Sequence, residues 1–116
     1  MLEEPEYRLY YDEDYAYKLP QLLEISNPRE VIKNAVKYFN DPNIKIYLST
    51  KKDKKYMVQN PNTKKMVHFG QVGYEDYTKH KDPIRRDAYL ARATKIKGSW
   101  IFNRYSPNNL SIHLTW

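Results

Sequence analysis

Apolar side chains recur along this chain at two periods, and each period names an element. Val31, Ile32, Ala35, Val36 and Phe39 fall three and four residues apart, which predicts an amphipathic helix. Asn27-Pro28-Arg29-Glu30 starts it: Asn27 can cap, Pro28 suits the first helical position, and Glu30 sits three residues after the cap. Asn40-Asp41-Pro42 stops it. Ile44, Ile46 and Leu48 then alternate with Lys45 and Tyr47, the period of a strand with those three side chains inward. Beyond the charged turn 49–55, Tyr56–Gln59 and Met66–Phe69 are two β-prone runs. Asn60-Pro61-Asn62-Thr63-Lys64 between them is a tight-turn signature. The three runs predict an antiparallel meander.

Gly70 and Gly73 bracket the exit from the hairpin, where the backbone needs freedom. Tyr74–His80 predicts one short helical turn. Asp82-Pro83 opens a further helix, with Ile84, Ala88, Ala91 and Lys95 on one stripe, Tyr89, Arg92 and Ile96 beside it, and Gly98 as its C-cap. Leu110, Ile112, Leu114 and Trp116 alternate like a strand, yet Ser106-Pro107 with Leu110 and Leu114 fits a capped helix, which is the preferred reading. Residues 1–20 show no period. Tyr7, Tyr10, Tyr11, Tyr15 and Tyr17 are interspersed there with acids, which predicts an extended arm that orders when its tyrosines meet a surface, its own or a neighbour's. The expected fold is α+β: a small three-stranded antiparallel sheet packed with two or three helices in a single domain over 21–116, plus the acidic Tyr-rich arm over 1–20.

Composition sharpens this picture. A chain of 116 residues is the size of one domain. Twelve of its aromatic residues are tyrosine and three are phenylalanine, which favours half-buried positions and contact surfaces over a deep core. With no cysteine, disulfides and thiolate metal sites are excluded. No apolar run is long enough to span a membrane as a helix, and the acidic start does not look like a signal peptide. Net charge is +6, but residues 1–31 carry eight acids against three bases, which leaves +11 on the remainder. That asymmetry suits a polyanionic partner, an acidic arm on a basic body, or simply a solvated lysine-rich surface.

The residues 68–93 concentrate the candidate chemistry. Catalysis finds little support: no serine sits in a G-x-S-x-G elbow, His68, His80 and His113 form no H-x-x-x-H pair, and Gly70/Gly73 give only G-x-x-G. The expectation is therefore no catalytic residue, no metal ligand and no cofactor. Nucleic acid is better supported. A basic hairpin (Lys51, Lys52, Lys54, Lys55, Lys64, Lys65) stands near a basic, Arg-rich helix (Arg85, Arg86, Arg92, Lys95, Lys97). Tyr56, Tyr74, Tyr77, Tyr89 and Trp100 are interleaved, and together such residues bind phosphates and stack on bases without reading sequence. A purely structural hub is the third reading and the preferred one for this stretch. In it, Asp82 caps its helix, Arg85 or Arg86 pairs with Asp76 or Glu75, and Tyr74 and Tyr77 cover the hairpin.

KKYMVQNPNTKKMVHFG, GYEDYTKHKDPIRRDAYLARATKIKG and YSPNNLSIHLTW follow one another between Lys54 and Trp116. This string resembles small uncharacterised proteins of giant (nucleocytoplasmic large DNA) viruses; residues 1–53 have no part in the resemblance. It implies a viral origin and a role in the particle or in handling the genome, and it lends no catalytic residues. The leading expectation is a non-enzymatic virion protein, a minor capsid or internal particle component. It would contact other virion proteins or itself through Tyr7, Tyr10, Tyr11, Tyr15 and Tyr17, in the virion and in the host cytoplasm during assembly. The alternative is a sequence-independent DNA- or RNA-binding protein that uses the basic hairpin and Arg-rich helix.

Overall fold

The computed structural model describes residues 7–116. The acids Glu3, Glu4 and Glu6 of the expected arm lie outside the described residues. The fold is α+β, with three antiparallel strands in the order β1 (Tyr47–Leu48), β2 (Lys54–Gln59), β3 (Met66–Gln71). Around the sheet lie α1 (Leu19–Ile25), α2 (Pro28–Phe39), α3 (Tyr77–His80), α4 (Pro83–Ala93) and α5 (Pro107–Leu110). A π-helical turn, Ser111–Thr115, continues α5, so the C-terminal segment is helical rather than a strand.

Helix α2 forms as its pattern dictates. Asn27 Oδ1 accepts from the Glu30 amide, Pro28 opens the helix, and Asn40 closes it in the left-handed conformation at φ 50°. Val31, Ile32 and Ala35 are buried on its inner face against Ile46, Leu48, Tyr56, Val58 and Phe69 of the sheet region and Leu110 and Leu114 of the C-terminal segment. Each large side chain so buried contributes roughly 1.5–3 kcal/mol. Helix α1 was not anticipated. Its signal is Leu19, Leu22 and Leu23 at helical spacing, with Pro20 in the first turn.

The first strand is shorter than its alternation predicts, although Ile46 and Leu48 are buried and Ile44 packs against the core. Its outer edge is occupied by the arm. The Tyr10 amide donates to Ile46 O at 3.1 Å, and the Leu48 amide to Tyr10 O at 2.8 Å. This isolated parallel bridge caps an otherwise open edge. Residues 13–18 depart from the extended reading, because Asp12 caps a 3-10 turn, Glu13–Lys18, through the Asp14 amide. Lys18 then donates to three carbonyls, Ser49 at 2.6 Å, Lys51 at 2.7 Å and Lys54 at 3.2 Å, closing the β1–β2 turn around one ammonium. Of the expected arm tyrosines, Tyr7, Tyr10 and Tyr15 pack on the chain's own surface, while Tyr11 and Tyr17 stay exposed.

Candidate functional site: a basic cleft beneath α4

The segment after the hairpin builds a buried hub. Asp76 is 0% exposed and its carboxylate accepts from Lys55 Nζ at 3.2 Å, Ser26 Oγ at 2.7 Å and the Thr78 hydroxyl. Since the Ser26 proton goes to Asp76, the Tyr56 hydroxyl donates to Ser26, at 2.6 Å. Burial pushes the Tyr56 hydroxyl pKa far up, so it stays a donor. Lys55 Nζ also donates to Tyr74 O at 2.8 Å, which fixes the loop that carries Tyr74. Gly70 makes room for this lysine. It sits at φ 81°, and a Cβ there would lie 3.2 Å from the Lys55 Cβ.

The hub corrects several sequence expectations. Asp76 pairs with Lys55, not with Arg85 or Arg86. Lys55 is therefore withdrawn from any ligand, and burial lowers its pKa. Tyr56 is a core residue facing Phe69 across the strand pair, with centroids 5.7 Å apart, and cannot stack on a base. Arg86 donates from Nε to Trp116 O at 2.7 Å and lies over the Tyr77 ring. Asp82 does cap α4, accepting from the Ile84 amide at 2.9 Å. Tyr74 does not cover the hairpin; it is 67% exposed.

Helix α4 turns differently from the predicted stripe. Ile84 is 79% exposed, and Ala91 and Lys95 also face solvent. The face toward the body carries Arg85, Ala88, Tyr89, Arg92 and Ala93, with Ile96 just beyond. Two contacts fix this rotation. Tyr89 stacks on Trp116 at 4.2 Å and 8°, and Asn108 Nδ2 donates to Ala93 O at 3.1 Å. The helix ends at Ala93 with Thr94 as its C-cap, so Gly98, four residues on at φ 118°, serves the following loop instead.

Between α4 and the body lies a cleft of about 840 Å³. Its floor is the open end of the hairpin, where Lys54, Gly70 and Gln71 lie; the Tyr74–Glu75 loop and the α4 face with Trp116 form its walls. Lys54, Arg85 and Arg92 bring three cations to it against the Glu75 carboxylate, Lys55 being neutralised by Asp76. Among the described residues, Arg85 and Arg92 make no hydrogen bond or ion pair to the protein, and Lys54 reaches only Gln71 Oε1 at 3.4 Å. The other predicted cations are divided. Lys51 and Lys52 are exposed on the turn that leads into Lys54. Lys64 and Lys65 sit at the far end of the six-residue strands, about 20 Å away.

The expected arm residues also divide. Tyr7 lies under Arg29 and Lys33, Tyr10 packs on Tyr47, and Tyr15 and Tyr17 stack on each other at 6.5 Å. Tyr11 remains exposed and Tyr17 is 75% exposed.

The histidines lie outside the cleft. His68 Nδ1 and Ser49 Oγ meet at 2.7 Å, a serine–histidine contact, but Ser49 is fully buried and its oxygen also accepts from the Lys51 amide at 3.0 Å. The contact locks the β1–β2 turn. His80 Nδ1 accepts from the Asp82 amide at 2.9 Å, so its proton sits on the buried Nε2, beside the Trp116 ring. Burial lowers both histidine pKa values, helped at His68 by Lys51 and at His80 by Arg85. Among the described residues, no cluster of acids and histidines could hold a metal ion, and no helix is long and apolar enough to cross a membrane.

No curated protein and no solved structure matches this chain. The sequence pattern of a family of unknown function (DUF5754) matches residues 44–93, which span the sheet, Lys55 and Asp76 of the hub, and α4.

Proposed function

We propose that this chain is a non-catalytic, sequence-independent nucleic-acid-binding module whose ligand lies against the α4 cleft. The observation that carries the reading is the convergence of Lys54, Arg85 and Arg92 on one concave surface, with neither guanidinium group hydrogen-bonded or ion-paired among the described residues. Such groups neutralise phosphates and give affinity without base readout. Lys51 and Lys52 extend the basic surface beside the cleft, while Lys64 and Lys65 are too distant to share it. Anisotropy of a labelled mixed-sequence oligonucleotide tests the reading. About three phosphate contacts on a single strand predict a loss of roughly 20-fold between 50 and 200 mM salt. Absence of binding at 50 mM salt removes the reading.

A second reading is favoured by the exposed Tyr11 and Tyr17 rings: a particle protein that contacts virion partners, or its own copies, through them. Deleting residues 1–18 is a poor test, since Tyr10 and Lys18 belong to the body. A Tyr11→Ser/Tyr17→Ser double variant is the cleaner probe. It should stay folded and lose copurification with intact particles; retained copurification argues against the reading.

A further inference from the structure

Helix α4 turns two of its three arginines, Arg85 and Arg92, toward the cleft. Arg85, Tyr89, Arg92 and Ile96 recur at four, three and four residues, so cation, ring, cation and aliphatic side chain line the cleft in order. The outward face carries Ile84, Asp87 and Ala91, with the cation Lys95 beyond the helix end, and Arg86 is spent on Trp116. A helix that reads a duplex groove must present its basic side chains convexly. This one presents them to a concave space, across from Lys54. Duplex DNA is too broad to enter a space of 840 Å³, which is the scale of a small-ligand pocket. An unpaired strand is narrow enough to enter.

The aromatic positions suit such a strand. Tyr74 stands at the cleft and is 67% exposed. Among the described residues, no ring packs against it. Its backbone is nonetheless fixed, because Lys55 Nζ holds Tyr74 O at 2.8 Å. A large apolar ring held out to solvent on an anchored loop is a platform for a base. Tyr89 and Trp116 occupy each other's faces and serve as wall rather than platform.

We infer that the cleft takes an unpaired nucleic-acid strand, with a base stacked on Tyr74 and its flanking phosphates held by Arg85, Arg92 and Lys54. This inference rests on the nucleic-acid reading above. It assigns selectivity for single strands over duplexes to the cleft's concavity, and it makes Tyr74 a binding residue rather than a packing one.

The experiment compares labelled oligothymidylate with a blunt duplex of equal length at 50 mM salt, for the full chain and for Tyr74→Ala, Arg85→Gln and Arg92→Gln. The expected result is single-strand binding at least about tenfold tighter than duplex binding. Tyr74→Ala should lose about tenfold on the single strand and leave its salt dependence unchanged. Each arginine variant should instead reduce the salt slope by about one contact. Tyr74 is exposed, so its removal leaves the fold intact, and an unchanged thermal melt verifies this. Equal affinity for duplex, or a silent Tyr74→Ala, overturns the inference while the nucleic-acid reading survives. No binding to either probe overturns both. Displacement of the strand by polyglutamate at matched charge would show an acidic polypeptide to be an equal occupant and would also overturn it.

Discussion

At the residue scale, Asp76 is the most exacting position in the molecule. One buried carboxylate holds a lysine and two hydroxyls contributed by the α1–α2 junction, β2 and the start of α3. Removing one partner of a buried ion pair strands the other charge, which costs about 3–5 kcal/mol. Asp76→Asn and Lys55→Met should each lower the unfolding free energy measured by urea titration by that amount. The double variant should cost well under the sum, since neither charge is then stranded. Gly70→Ala should cost about 1–3 kcal/mol, because alanine must adopt a positive φ while its Cβ presses on the Lys55 stem. None of this was legible in the sequence. Asp76 was one of two adjacent acids and Lys55 one lysine in a run of them; only the three-dimensional meeting of distant segments distinguishes them.

At the element scale, the helices diverge in what secures them. Helix α2 buries three residues of its own and was fully legible, cap to cap, because its apolar period and its packing agree. Helix α4 has just Ala93 buried, and its length and cap were legible while its rotation was not. Its apolar residues are mostly small and spread around the helix, so the side facing the body is decided by the Tyr89–Trp116 stack, a contact between residues 27 positions apart in sequence. An eleven-residue helix so lightly packed is marginal on its own. Amides of residues 87–93 should therefore exchange with solvent much faster than those of residues 32–39, as hydrogen-exchange mass spectrometry would show. Trp116→Ala should widen that difference further. A bound strand should narrow it.

At the scale of the whole molecule, the charge asymmetry seen in the sequence becomes a surface with two basic ends. The run of lysines gave no hint that the hairpin would separate Lys51, Lys52 and Lys54 from Lys64 and Lys65, because one linear cluster is folded back across the length of two strands. The molecule also has a pH response. Both His68 and His80 have pKa values below the ordinary 6.5, so the folded state favours their neutral forms. Above that value their contribution is complete. As pH falls below it, the unfolded chain takes up protons first, and stability declines until the lower folded-state values are passed. Thermal melts should thus fall between pH 7.5 and pH 5.5, and His68→Gln should flatten part of that fall.

The carbonyl cradle around Lys18 has a practical corollary. Its ammonium group is engaged by three backbone oxygens, and the Lys55 amine by a backbone oxygen and a carboxylate. An amine-acylating reagent should therefore decorate the outer lysines quickly and reach these two slowly. Mass mapping of their modification would turn the pair into an intrinsic gauge of whether a preparation is native.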